Sequence, residues 1–133
     1  MNENKYEHEI RLGQYNKNGN TYNINSRCFV EIEGTGNSIY VGKNVRSLLL
    51  NNVFLHIRCV GSGNSVYIDS DVTYGNDCSI IVSDGGSLYI GKDCMLSNEV
   101  RFNIDGEETK IGNHVWFGIR SNIVGHKELA VVQ

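Results

Sequence analysis

Proline is absent from this chain of 133 residues, whereas glycine occurs fifteen times. A fold with many tight corners is implied, in which backbone amides are still needed for ladder hydrogen bonds. No run of 18 apolar residues exists, and Met1 to Glu9 is polar with no apolar leader core. Neither a signal peptide nor a transmembrane segment is therefore read from the sequence, and a cytoplasmic location is expected. An excess of basic charge is also lacking. The formal net charge is −3, which gives no electrostatic reason to expect nucleic acid or an anionic membrane as partner. The four cysteines, Cys28, Cys59, Cys78 and Cys94, form no C-x-x-C and no paired Cys/His spacing. Buried thiols serving as small apolar fillers are favoured over a disulfide framework or a zinc site.

Helical periodicity is missing too; a period of six takes its place. Ile90, Leu96 and Phe102 are six apart, as are Ile111 and Phe117, and a second set (Cys94, Val100, Val115) follows each opening residue by four. Such a chain turns a corner about every six residues, so each run supplies one short strand of a parallel β-helix. The register starts at Ile24 with Cys28 and Val30, and it slips by two residues after Val45, where Leu49 and Leu55 carry the step. It continues through Ile68, Tyr74 and Ile80 to Ile123. Val41, Ile68, Ile90 and Ile111 open successive coils, with separations of 27, 22 and 21 residues. The surplus over three hexads falls mainly in glycine-rich turns before the opening residue, Gly61-Ser-Gly-Asn64, Asp84-Gly-Gly and Asp105-Gly106, and a like turn, Gly34-Thr-Gly-Asn37, precedes Val41. Insertions at one corner leave stacked strands undisturbed. These turns are corners rather than phosphate loops, because no helix follows them.

The expected fold is all-β, a β-solenoid of about five coils over residues 21–127. Ile24, Val41, Leu49, Ile68, Ile90, Leu96, Ile111 and Phe117 are expected to point inward. Residues 1–20 are read as a mobile arm with one capping strand, and residues 128–133 as a tail able to cap the last coil or dock on a neighbour. Tyr74 needs a hydrogen-bond partner if its hydroxyl is buried.

Ile111-Gly-Asn-His-Val-Trp-Phe-Gly and Ile90-Gly-Lys-Asp-Cys-Met-Leu-Ser resemble the hexapeptide-repeat acyltransferases, in particular the sugar and capsular-polysaccharide O-acetyltransferases. The resemblance covers roughly residues 22–124. It implies a left-handed parallel β-helix and a homotrimer with acetyl-CoA in clefts between subunits, and no metal. It also implies a histidine acting as general base on a sugar hydroxyl, and by position Trp116 as a residue lining the site. Two departures stand against it. The family's histidine sits in a long loop between the strands equivalent to Phe102 and Ile111, but here Asn103 to Lys110 contains no histidine. The family also continues for several coils beyond its Trp motif. A truncated or impaired acetyltransferase is the expectation, with a non-catalytic assembly or carbohydrate-binding solenoid as the alternative.

Acetyl transfer needs a base within reach of the acceptor hydroxyl and a donor for the oxyanion. His114, two residues from Trp116, is the best-placed substitute base, although its hexad position is an outward one. Trp116 alternates with inward Val115 and Phe117 and should be exposed, which calls for cover by a ligand or partner. His126 follows the last coil and is a candidate for contact with a neighbouring subunit. Asp105, Glu107 and Glu108 are candidates to orient a histidine or touch substrate, although acids in a tight turn are commonly just solvated. His56 alternates with Leu55 and Ile57 and should point outward, while His8 lies in the arm. A γ-type carbonic anhydrase would need three zinc-binding histidines, a spacing that positions 56, 114 and 126 do not supply. An ice-binding solenoid would need threonine ladders, which Thr21, Thr35, Thr73 and Thr109 do not form.

Overall fold

Residues 6–48 and 53–126 are described by the structure, a computed structural model. It is a parallel β-helix without α-helix among the described residues. Leu49 and the tail 128–133 lie outside those residues.

A 12-residue strand, β1 (Tyr6–Lys17), turns at Asn18 and Gly19 into the 14-residue β2 (Asn20–Glu33) and pairs with it antiparallel. From β2 onward every pairing among the described residues is parallel. The front of β2, Thr21 to Ile24, pairs with β3 (Ser38–Val41), while its rear, Phe29 to Glu33, pairs with β5 (His56–Val60). Because β2 runs straight through the corner, it joins two faces of the prism into one sheet.

The first face continues from β5 to β8 (Ser79–Ser83), β11 (Arg101–Asp105) and β14 (Asn122–His126). The second runs from β3 to β6 (Ser65–Ile68), β9 (Ser87–Ile90) and β12 (Glu108–Ile111). The third is a separate four-stranded sheet of β4 (Arg46–Ser47), β7 (Thr73–Tyr74), β10 (Met95–Leu96) and β13 (Trp116–Phe117).

The hexad register sets these pairings directly. Ile24, Val41, Ile68, Ile90 and Ile111 are successive partners on the second face. Val30, Ile57, Ile80, Phe102 and Ile123 are successive partners on the first. Side chains alternate in and out along each short strand, so both rows fill the axis. Residues of the inner coils are buried essentially completely, whereas Ile111, Val115, Phe117 and Ile123 of the last described coil are only half-buried. Burial of each large aliphatic chain contributes roughly 1.5–3 kcal/mol before chain entropy is subtracted. All four cysteines are buried and unpaired within this core. The buried Tyr74 hydroxyl donates to the Val53 carbonyl at 3.1 Å, which meets its need for a partner.

The Gly-x-Gly-Asn turns do more than change direction. Asn20, Asn37 and Asn64 point inward and are buried. Asn20 Oδ1 accepts from the Asn37 amide at 2.9 Å, Asn37 Oδ1 from the Asn64 amide at 2.9 Å, and Asn64 Oδ1 from the Gly85 and Gly86 amides. Each side chain also donates to a turn carbonyl: Asn20 to Gly34, Asn37 to Gly61 and Asn64 to Val60. At Gly34, which has φ of 123°, an added Cβ would collide with the Gly61 carbonyl of the next coil, so this corner admits only glycine. The tyrosine of the repeated motif points outward. Tyr40, Tyr67 and Tyr89 stack at centroid separations of 4.4 and 4.9 Å.

Candidate functional site

The residues singled out in the sequence occupy two different parts of the prism. Trp116 opens β13 on the third face, beside Met95, and is 74% exposed. His114 stands at the corner before it in the left-handed region, with φ of 61°, and is exposed. Its amide donates to the Lys92 carbonyl, and its Nδ1 lies 3.6 Å from Asp93 Oδ2, too long for a hydrogen bond. Asp93 holds the equivalent corner one coil earlier, also at positive φ. The His114 corner is therefore one step of a regular column.

Asp105 closes β11 on the first face, where it pairs in register with Ser83 on one side and His126 on the other. Ser83 Oγ donates to Asp105 Oδ1 at 3.2 Å. Strand register thus brings Asp105 and His126 together but keeps them on a different sheet from His114 and Trp116. Only Gly106 and Glu107 separate β11 from β12, and Gly106 takes φ of 68° in that turn. Glu108 begins β12 and lies 3.9 Å from Lys110, with both side chains exposed. Among the described residues no cluster of three or more metal-ligating side chains forms.

A more organised constellation lies on the outer side of the first face. Phe29, His56, Ser79 and Arg101 are successive register partners, so their side chains form one outward row. Strand spacing sets His56 and Arg101, two strands apart, at roughly 10 Å. Two residues along β2, Glu31 faces the same side, and its Oε1 lies 2.7 Å from His56 Nε2. The Phe29 ring meets the imidazole edge-on at 4.8 Å between centroids. Phe29, His56, Ser79 and Arg101 line a cavity of about 400 Å³ that also includes Phe54 and Asp77, while Glu31 holds the imidazole from outside that lining.

The chemistry of this pair follows from its contacts. A hydrogen bond from Nε2–H to a carboxylate fixes the neutral tautomer and leaves Nδ1 as the acceptor. Nδ1 has no partner among the described residues. The same carboxylate would stabilise the imidazolium formed when Nδ1 takes a proton. Arg101 is exposed and pairs with no carboxylate among the described residues, so its guanidinium is available to an anion. The sequence reading had His56 pointing outward, as it does, but did not find its partner. The missed signal was Glu31, which register places one strand away although it lies 25 residues back in sequence.

Over 141 aligned positions the chain is 29% identical to the polysialic acid O-acetyltransferase of Neisseria meningitidis. The likeness is to an O-acetyltransferase. It covers 74% of this chain and 63% of the relative, so the chain spans less than two thirds of that protein's length. The alignment is longer than the chain itself, which means the relative carries inserted segments with no counterpart here. No protein-family model matches the chain, and no solved structure matches it. No helix among the described residues is long and apolar enough to cross a membrane.

Proposed function

We propose that this chain is an O-acetyltransferase that moves an acetyl group from acetyl-CoA to a hydroxyl of a polysaccharide. The observation that carries the reading is the relative's activity on a polysaccharide, joined to a parallel β-helix with a cavity lined by a histidine that a carboxylate holds. In the proposed reaction His56 Nδ1 takes the acceptor hydroxyl proton as the oxygen attacks the thioester carbonyl carbon. The carbon–sulfur bond then breaks, and the imidazolium returns the proton to the departing thiolate. Glu31 holds the ring and balances its transient charge.

His114 is a second candidate base, with Trp116 beside it to shape a pocket; its weaker contact to Asp93 places it after His56. Asp105 and His126 are proposed as contacts to acetyl-CoA or to a neighbouring subunit. The exposed Trp116 favours association into a homotrimer, in which it would be covered. Use of acetyl-CoA agrees with the cytoplasmic location expected from the sequence. The two-residue turn at Gly106 and Glu107, which carries no histidine, favours a second reading: a carbohydrate-binding solenoid without turnover.

The test is thiol release from acetyl-CoA in the presence of oligomers of sialic acid. His56→Ala is expected to lower kcat/KM by about 10²–10⁴-fold, the usual contribution of a general base. Turnover unaffected by His56→Ala but abolished by His114→Ala would move the base to the Trp116 corner. No turnover despite retained oligosaccharide binding would favour the second reading. Light scattering that shows a monomer at micromolar concentration would overturn the trimer.

A further inference from the structure

Phe54 divides two cavities. Beyond it from the His56 side lies a second, of about 340 Å³, lined by Arg27, Arg46, Ser47 and Tyr74 and sharing Val53 and Phe54 with the first. The pair of cavities thus collects Arg27, Arg46 and Arg101, together with His56, around one aromatic ring. Among the described residues a single carboxylate, Asp77, lines them. In a chain with a formal net charge of −3 this is a local reversal of sign. None of the three arginines pairs with a carboxylate among the described residues; the Arg46 guanidinium donates from Nε to Asn44 Oδ1 at 3.0 Å. All three are exposed.

We infer that the two cavities flanking Phe54 form one groove that binds consecutive sugar units of a polysaccharide carrying carboxylates. The inference rests on the reading of the chain as acting on a polysaccharide, and it specifies the acceptor's charge and the residues that read it. Guanidinium groups meet carboxylates with paired, charge-assisted hydrogen bonds. Aromatic rings accept the apolar face of a sugar, and Phe54 at the divide, with Phe29 on the His56 side, supplies that surface. Two cavities on either side of one ring suit successive units of a polymer rather than one monosaccharide. The unit on the His56 side would present its hydroxyl to the proposed base, and Arg101 would hold its carboxylate at the far end of the row.

Binding is measured by calorimetry on the full chain without acetyl-CoA, which separates this inference from acetyl transfer. The probes are sialic acid monomer, sialic acid oligomers, the same oligomers with carboxylates reduced to alcohols, and glucose oligomers. Oligomers of sialic acid are expected to bind more tightly than the monomer, and the reduced and glucose oligomers to bind poorly. Arg101→Ala and Arg27→Ala should each weaken the oligomer roughly tenfold or more, the usual consequence of losing a charge-assisted contact. Arg120→Ala, which removes an exposed arginine paired with Glu99 elsewhere, should leave binding unchanged. Equal binding of the reduced oligomers would overturn the inference. So would parent-like affinity in both arginine variants, or equal weakening by Arg120→Ala. Binding without thiol release would leave the groove standing and remove the transferase reading. Thiol release with unchanged KM in the arginine variants would do the reverse.

Discussion

Ile90 sits fourth in a row of five apolar side chains along the axis, with no exposed surface. An aspartate there would be an unpaired charge in a core with no room for water, a cost larger than a small domain can absorb. Ile90→Asp is expected to abolish folding, and a soluble variant with the parent melting temperature would refute the assigned register. The buried thiols give a different kind of prediction. Burial pushes Cys28 and Cys59 up from 9.0 to about 12. The neutral thiol is the form the fold keeps, so nothing is lost below pH 9. Between about 9 and 12 the unfolded chain ionises first, and stability should fall by about 1.4 kcal/mol per pH unit for each thiol. Chemical denaturation across that range should show a shallower fall in Cys28→Ala than in the parent. These inward residues were readable from spacing alone, because burial repeats with the chain's own period. His56 was not: its partner Glu31 and its neighbour Arg101 are set by register between coils, and coil lengths differ wherever a corner carries extra residues.

Among the elements, the asparagine ladder shows what turn chemistry conceals. Gly-Thr-Gly-Asn37 reads as a corner by local rules, which is correct for the backbone. Its side chain turns inward only because the next coil places a bare amide at Asn64 above it, a fact of stacking rather than of sequence neighbourhood. Asn37→Ala would leave that amide and the Gly61 carbonyl without partners. A loss of about 1–3 kcal/mol per orphaned group is expected, measured as a lower denaturant midpoint. Little recovery is expected in Asn37→Asp, whose carboxylate can accept from Asn64 but cannot donate to Gly61. β2 presents the opposite case. Its hexads announce two short strands, yet they merge into a single 14-residue strand, since Asn25 to Arg27 pass the corner without an inserted turn.

For the molecule as a whole, the ladder is that of a stack: on the first face, among the described residues, β5 hydrogen-bonds to β2 and β8, and β11 to β8 and β14. Corresponding residues on that face, His56, Ser79, Arg101 and Asn122, follow one another at 23, 22 and 21 residues. The period explains why the architecture could be read in advance while the site could not. A repeating core needs only a repeating sequence, but a binding groove is a place where outward residues differ from coil to coil. The same stacking has a mechanical consequence. Held at β2 and pulled from the β14 end, the described residues have no strand pairing beyond neighbouring coils that would make them yield all at once. They should unreel coil by coil, and each rupture should release about 22 residues, roughly 75 Å of contour. The force trace would be a short staircase, with its lowest step at the half-buried last described coil.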